Sequence, residues 1–133
     1  MRFNTRVLLA ALVLTLLLGA AAGCSTSSLR IGWREFGGRD RTRAEYVTFD
    51  GMRTETVKVQ AGQTIELSCE VTVDKGVLRA EFLAPDGEQV WSETFEEDRN
   101  AFVSTRAEES GRYILRLQGD RTGGSFDVVW DIS

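Results

Sequence analysis

Few side chains in this chain of 133 residues are suited to catalysis. There is no histidine, which removes the most common general base and the usual ligand of zinc. The two cysteines, Cys24 and Cys69, match neither a metal site nor a disulfide framework in number or spacing. We therefore expect a protein that is not an enzyme, with no catalytic residues, no metal site and no cofactor.

Carboxylates are the remaining reactive groups. Four of them lie within residues 93–98, but they lack the ordered spacing of a calcium loop, so we interpret this segment as a solvated loop. Asp127 and Asp131 share the solvent side of a predicted strand, and no pattern indicates a pocket beside them. Glycosidase chemistry is therefore disfavoured.

Aromatic and apolar side chains offer two candidate binding surfaces. Trp91 and Phe95 share one face of a predicted strand, where they are either core residues or an exposed platform that stacks on sugar rings. Ile114 and Val129 have outward parity on two segments predicted to be neighbouring strands, where a small apolar patch would receive a partner protein. The sequence leaves these alternatives open.

The N-terminal segment has the layout of a secretory signal peptide. Residues 1–6 are positively charged, residues 7–18 are apolar with one threonine, and residues 19–23 are small. We therefore predict a helical signal peptide over residues 1–23.

The four residues Ala21, Ala22, Gly23 and Cys24 resemble the lipobox of bacterial lipoproteins, although leucine is more frequent at the place of Ala21. The resemblance implies that Cys24 becomes the first mature residue and is diacylated on sulfur with palmitate-type chains. Two or more such chains anchor a protein stably, since each buried CH2 contributes about 0.8 kcal/mol. The implied location is extracytoplasmic, anchored in a cell membrane or an outer membrane.

Charge divides the remaining chain into two parts. Residues 24–43 hold five arginines and two carboxylates, a net charge of +3, and are predicted to be a flexible basic tether. Trp33 and Phe36 in this segment either dip into the lipid interface or fold back on the domain. Residues 44–133 hold eighteen carboxylates and nine basic residues, a net charge of −9, which excludes nucleic acid as a partner.

Residues 44–133 consist of short segments in which apolar and polar residues alternate, separated by turn signals. The clearest segment is residues 64–73, in which every second residue is apolar, from Ile65 to Val73. Turn signals follow at residues 74–76, 84–87 and 119–124. About seven to eight short strands of this kind predict an all-β domain that forms an antiparallel sandwich or barrel.

Residues 62–71 and 109–113 resemble the B strand and the tyrosine corner of the immunoglobulin-like fold. The resemblance implies an immunoglobulin-like antiparallel β-sandwich, in which the hydroxyl of Tyr113 bonds to backbone upstream. Leu115 stands where the family has its second cysteine. Cys69 is therefore expected to be a buried, inert thiol without a partner.

These observations predict a lipid-anchored, extracytoplasmic β-sandwich that acts as a non-catalytic binding or envelope-assembly module. Its expected partners are the membrane, through the acyl chains on Cys24, and an envelope protein or a polysaccharide. The alternative is a carbohydrate-binding envelope module that uses Trp91 and Phe95. An enzyme acting through carboxylates alone would require a cleft between them.

Overall fold

The structure is a computed structural model that describes residues 28–133, and the signal peptide and lipobox predicted over residues 1–24 lie outside this range. The described residues form seven β-strands. Their bounds are β1 Leu29–Ile31, β2 Arg34–Gly38, β3 Arg41–Val59, β4 Thr64–Leu83, β5 Gln89–Phe95, β6 Arg99–Arg106 and β7 Gly111–Ile132. Across residues 28–133 we find no apolar helix with the length needed to cross a bilayer. The predicted all-β antiparallel fold is confirmed.

All seven strands belong to one antiparallel sheet that folds over on itself into two layers. Strands β3, β4 and β7 are long enough to run through both layers. Layer A contains β2, residues 41–46 of β3, residues 124–132 of β7, residues 64–73 of β4 and β6, in that order. Layer B contains β1, residues 49–59 of β3, residues 111–122 of β7, residues 77–83 of β4 and β5.

The crease between the layers depends on glycine. Gly124 has a φ of 138°, and a Cβ at this position would lie 2.0 Å from the carbonyl oxygen of Thr72 on the neighbouring strand. Only a residue without a side chain permits this approach. The turn signals predicted at residues 74–76 and 119–124 are therefore bends inside β4 and β7, and residues 111–118 and 125–132 are two parts of one strand.

The core lies between the two layers, and β4 contributes to both sides of it. The buried apolar residues of β4 are Ile65, Leu67, Cys69, Val71, Leu78, Ala80 and Phe82. They form one cluster with the buried residues of β3, β5 and β7. Fully burying a large apolar side chain contributes about 1.5–3 kcal/mol, so this cluster is the main source of stability. The alternation predicted from Ile65 onward is confirmed.

Most of the predicted tether is part of the domain. Strands β1 and β2 pair with β3, which itself begins at Arg41, so the prediction of a flexible segment over residues 24–43 is wrong from residue 29 onward. The arginines there make specific contacts, since Arg30 lies 4.5 Å from the centre of the Trp33 ring and Arg41 binds Asp127. Exposed edge strands tolerate charge, so a basic composition did not distinguish them from a linker.

Ion pairs close the two open sides of the sandwich. On the side of β1 and β2, Arg53 of layer B binds Glu35 of layer A and also Glu55, with 2.7 Å to the latter. On the opposite side, Glu93 of β5 binds Arg99 of β6 across 2.6 Å. Both pairs join residues whose strands lie in different layers.

Candidate functional site

Phe102 is the most exposed large apolar side chain among the described residues. Strand β6 is the edge of layer A, and Phe102 lies on its outer face with 67% of its surface exposed. It is paired with Ser68 of β4, which is paired with Val129 of β7, and Val129 is paired with Arg41 of β3. These four residues form one row across the outer face of layer A.

Polar side chains surround Phe102 on this face. Asn100 and Ser104 precede and follow it by two residues on β6, so all three project to the same side. Glu66 and Glu70 stand opposite Ser104 and Asn100 on β4. Diagonal neighbours of this kind lie about 7–8 Å apart, so both carboxylates are within reach of a molecule seated on the ring.

Of the basic residues on this face, Arg41 and Arg43 lie on β3, beyond β7 and β4 from Phe102, and Arg106 lies at the end of β6 with its guanidinium against Gly62. Arg41 donates two hydrogen bonds to Asp127, one of 2.8 Å from Nε to Oδ1, and this bonding raises the pKa of Arg41. Arg43 lies 5.4 Å from the centre of the Phe36 ring and 3.1 Å from Glu45. The face is therefore acidic around Phe102 and mixed in charge beyond Asp127.

Trp91 and Phe95 do not form an exposed platform. Phe95 is fully buried, and Trp91 is half-buried and packed against the core beside its pairing partner Phe82. Both side chains project between the layers because β5 presents its odd-numbered residues inward. Of the two alternatives that the sequence left open, the core position is correct, and the stacking platform is not.

Ile114 and Val129 are both exposed, as their parity predicts, but they do not form one patch. Ile114 lies on the part of β7 that belongs to layer B, and Val129 on the part that belongs to layer A. The bend between them places the two side chains on opposite faces of the sandwich. Trp33 folds back on the domain and stacks on Tyr46 at 5.6 Å, whereas Phe36 is exposed.

The two residues that supported the fold prediction behave as expected. The hydroxyl of Tyr113 donates a 2.9 Å hydrogen bond to the carbonyl oxygen of Glu109, and its ring stacks on Phe82. Cys69 is a free, buried cysteine, and burial raises the pKa of its thiol to about 12. The buried thiol is therefore not a nucleophile at neutral pH.

A cleft of about 470 Å³ opens at one end of the sandwich, beside the turn at residues 84–87 and the end of β6. Its lining includes four acidic residues, Asp86, Glu88, Glu108 and Glu109. Three of them are exposed, and Asp86 accepts a hydrogen bond from the backbone of Glu88. Residues 28–133 contain no group of three or more acidic, cysteine or histidine side chains arranged to hold a metal ion.

Two carboxylates of the acidic segment over residues 93–98 are bound by neighbouring residues. Glu93 pairs with Arg99, and Asp98 accepts a 2.8 Å hydrogen bond from the backbone of Val73. The carboxylates of Glu93 and Asp98 therefore make contacts that hold neighbouring strands together.

Phe102 is not among the residues predicted above to bind a ligand. The sequence does contain a signal for it. Ala101 and Val103 alternate with Asn100, Phe102 and Ser104, so Phe102 lies on the same side of the strand as two polar residues. An outward aromatic between polar residues on a strand is therefore the pattern that would have found it.

No family model matches the chain, and no curated protein matches it by sequence. Among solved structures, TmCBM61 in complex with beta-1,4-galactotriose is similar at a TM-score of 0.52 and 14% identity, covering 77% of this chain and 89% of that one. The enzymatically active domain of tailspike protein 4 from bacteriophage CBA120 gives 0.49 and 13%, covering 80% and 19%. A structure described as "CBM4 structure and function" gives 0.48 and 13%, covering 84% and 82%. At these identities the likeness to TmCBM61 shows the fold.

Proposed function

We propose that this chain is a lipid-anchored, extracytoplasmic module that binds a neutral polysaccharide on the outer face of layer A and catalyses no reaction. The exposed ring of Phe102 is the observation that carries this proposal. A sugar ring presents C–H groups on its flat side, and these pack against the negatively polarised face of an aromatic ring.

The polar groups around Phe102 supply the second half of a sugar site. Ser68, Asn100 and Ser104 can each donate and accept hydrogen bonds, and the carboxylates of Glu66 and Glu70 accept them from hydroxyl pairs. Hydrogen bonds to a charged acceptor contribute more than neutral ones, about 1.5–3 kcal/mol each where water is excluded. The combination suits a polyhydroxylated, uncharged ligand.

The charge of the face selects against anionic polymers. Glu66 and Glu70 flank the ring on β4, whereas Arg41 is occupied by Asp127 on the far side and Arg106 lies four residues from Phe102, against Gly62. A uronic acid or phosphate seated on Phe102 would face like charges, which is unfavourable. We therefore expect neutral sugars to bind and polyuronates to bind weakly.

The fold is compatible with this role. TmCBM61, whose structure holds a galactotriose, is built on a similar sandwich. This likeness supports the proposal at the level of the scaffold, and the residues of the site are this chain's own.

A protein partner in envelope assembly is less well supported by the same face. Protein interfaces that last usually bury about 800 Å² on each partner, with an apolar centre surrounded by a polar rim. Phe102 and Val129 are separated by Ser68 in their row and flanked by carboxylates in the adjacent row. A single ring within a polar surround fits a sugar better.

Affinity electrophoresis of the full chain in gels containing single polysaccharides tests the proposal. We expect retardation by at least one neutral polysaccharide and a loss of about 1–2 kcal/mol, roughly 5- to 30-fold in affinity, on Phe102→Ala. The matched control is Ile114→Ala, which removes an exposed apolar side chain from the opposite face and should retain binding. Equal retardation of the two variants, or no retardation by any neutral polysaccharide, would contradict the proposal.

Anchoring through Cys24 is the second part of the proposal, and the lipobox resemblance supports it. Replacing Cys24 by serine should abolish incorporation of labelled palmitate and remove the mass of the acyl chains. If the wild type incorporates no palmitate, or the Cys24→Ser variant incorporates as much as the wild type, lipid anchoring through Cys24 is wrong.

A further inference from the structure

Three exposed apolar side chains lie together where the described chain begins. Leu29 and Ile31 of β1 and Met52 of β3 are each 45–49% exposed. Arg30, between the first two, turns inward over the rings of Trp33 and Phe49, so Leu29 and Ile31 project to the outer side of layer B. We call these three residues, Leu29, Ile31 and Met52, the β1 patch.

The chain leaves the domain at this patch. Leu29 is paired with Asp50, two residues before Met52. Ser28 packs on Gly51 so closely that a Cβ there would lie 2.2 Å from the Ser28 hydroxyl oxygen. Ser28, the first described residue, therefore lies beside the patch.

The distance from Ser28 to the proposed anchor is short. Four peptide units join Cys24 to Ser28, and at about 3.3–3.6 Å per residue they span at most about 14 Å. Residues 49–59 of β3 alone extend over about 35 Å. An acylated Cys24 would therefore hold only the part of the domain around the β1 patch close to the bilayer.

We infer that the β1 patch docks on the membrane surface and fixes the orientation of the domain there. This inference rests on the acylation of Cys24 proposed above. Apolar side chains next to polar ones suit the boundary between head groups and acyl chains. Thr48 and Asp50 lie beside the patch, and Lys75 donates a 2.8 Å hydrogen bond to Thr48, so the polar groups required at that boundary are present.

A second copy of the chain fits the patch less well than a bilayer. A stable dimer buries about 800 Å² on each subunit, and three partly exposed side chains provide far less. A tethered membrane contact requires less area, because the anchor already holds the patch at a high effective concentration.

Docking in this way directs the proposed sugar site outward. Strand β1 is the edge of layer B, whereas β6, which carries Phe102, is the opposite edge of layer A. The two sites therefore lie at opposite corners of the sandwich, and the face around Phe102 is turned away from the lipid.

Nitroxide labels on introduced cysteines test the docking in the full chain. Ile31→Cys reports on the β1 patch, and Ser104→Cys, on the outer face of layer A, is the matched control. Each chain is produced in a bacterial host that processes lipoproteins, labelled, and reconstituted in phosphatidylcholine vesicles. Cys69 is buried and Cys24 is blocked when acylated, so one label per chain is expected.

The label at position 31 should collide several-fold less often with a water-soluble nickel chelate than the label at position 104, and more often with oxygen, which concentrates in lipid. Adding Leu29→Ser and Met52→Ser should return the label at position 31 to water. Equal nickel accessibility at the two positions overturns the docking. If the label at position 31 is shielded from both the nickel chelate and oxygen, and magnetic coupling between labels on two chains is observed, a second copy covers the patch. That result also overturns the membrane docking.

A failure of the anchor gives a different result. If Cys24 is free, each chain takes up two labels and its intact mass lacks acyl chains, which contradicts the proposed anchoring and the docking that depends on it. The labelling count therefore separates a missing anchor from an anchored domain that does not dock.

Discussion

Replacing Gly124 by alanine tests the crease that divides the sheet into two layers. At this point β7 passes from layer B to layer A, with a φ of 138° that side chains rarely adopt. The added Cβ would lie 2.0 Å from the carbonyl oxygen of Thr72. This oxygen belongs to the backbone of β4, so it cannot move aside without disturbing the pairing of β4 with β7.

Two costs add in the Gly124→Ala variant. An unfavourable backbone conformation costs on the order of 1–3 kcal/mol, and overpacking against a fixed neighbour costs a similar amount. We expect a loss of about 3 kcal/mol, which for a domain of this size lowers Tm by roughly 12–24 °C. Since small domains have only about 5–15 kcal/mol of stability, this loss is large.

Urea unfolding monitored by tryptophan fluorescence measures the effect. Gly37→Ala is the matched control, because β2 leaves open space around that position, with no atom within 4 Å of the added Cβ. We expect its stability to change by no more than about 0.5 kcal/mol. If the two variants unfold at the same urea concentration, the bend of β7 at Gly124 and its close approach to Thr72 are wrong. The division of the sheet into two layers at that point is then refuted.

Two substitutions and one labelling experiment test the core and the ion pairs of Glu81. Glu81 accepts hydrogen bonds from Arg116 and Arg79, and the bond from Arg116 is the main reason that the pKa of Glu81 is lowered. The stability that this carboxylate contributes is therefore present above the ordinary pKa of a glutamate and is lost as pH falls through the lowered pKa. Glu81→Gln should therefore cost about 1–2 kcal/mol at pH 7 and converge with the wild type in acid melts, and a constant difference at all pH values would be inconsistent with this reasoning. Phe95→Ala should cost about 3–5 kcal/mol in urea unfolding, whereas an exposed platform residue would cost almost nothing. Cys69 should react with a bulky maleimide only after denaturant is added, and rapid modification of the folded protein would show that the thiol is accessible.

Local patterns in the sequence predicted the parts of the fold that local physics decides. The alternation from Ile65 to Val73 places one side of β4 in the core, because successive strand residues point to opposite faces. The turn at residues 84–87 is present, with a 2.9 Å bond from the amide of Gly87 to the carbonyl of Ala84. The corner at Tyr113 also depends on residues only four apart.

The path of the strands between layers was not predictable in the same way. A glycine-rich segment such as residues 119–124 permits both a hairpin and a bend, and only contacts distant in sequence decide between them. The same limit applies to β1 and β2, whose strand structure depends on pairing with β3 and not on their basic composition.

The alternation of residues likewise predicted that Trp91 and Phe95 lie on the same side of their strand. It did not predict whether that side points to the core or to solvent. That choice depends on the burial of Ala80 and Phe82, the residues paired with β5 on β4. The anchoring role of Cys24 stays a prediction, because it concerns processing by other proteins and residues outside the described range.

A titration of the ¹⁵N-labelled full chain with neutral oligosaccharides, β-1,4-galactotriose among them, tests whether sugars bind around Phe102. Amide shifts in NMR spectra identify which residues a ligand contacts. We expect shifts concentrated at residues 66–70 and 100–104, absent from Phe102→Ala and retained in Ile114→Ala. Shifts concentrated at the acidic cleft of residues 84–90 and 105–109, or no shifts with any neutral oligosaccharide, would contradict it.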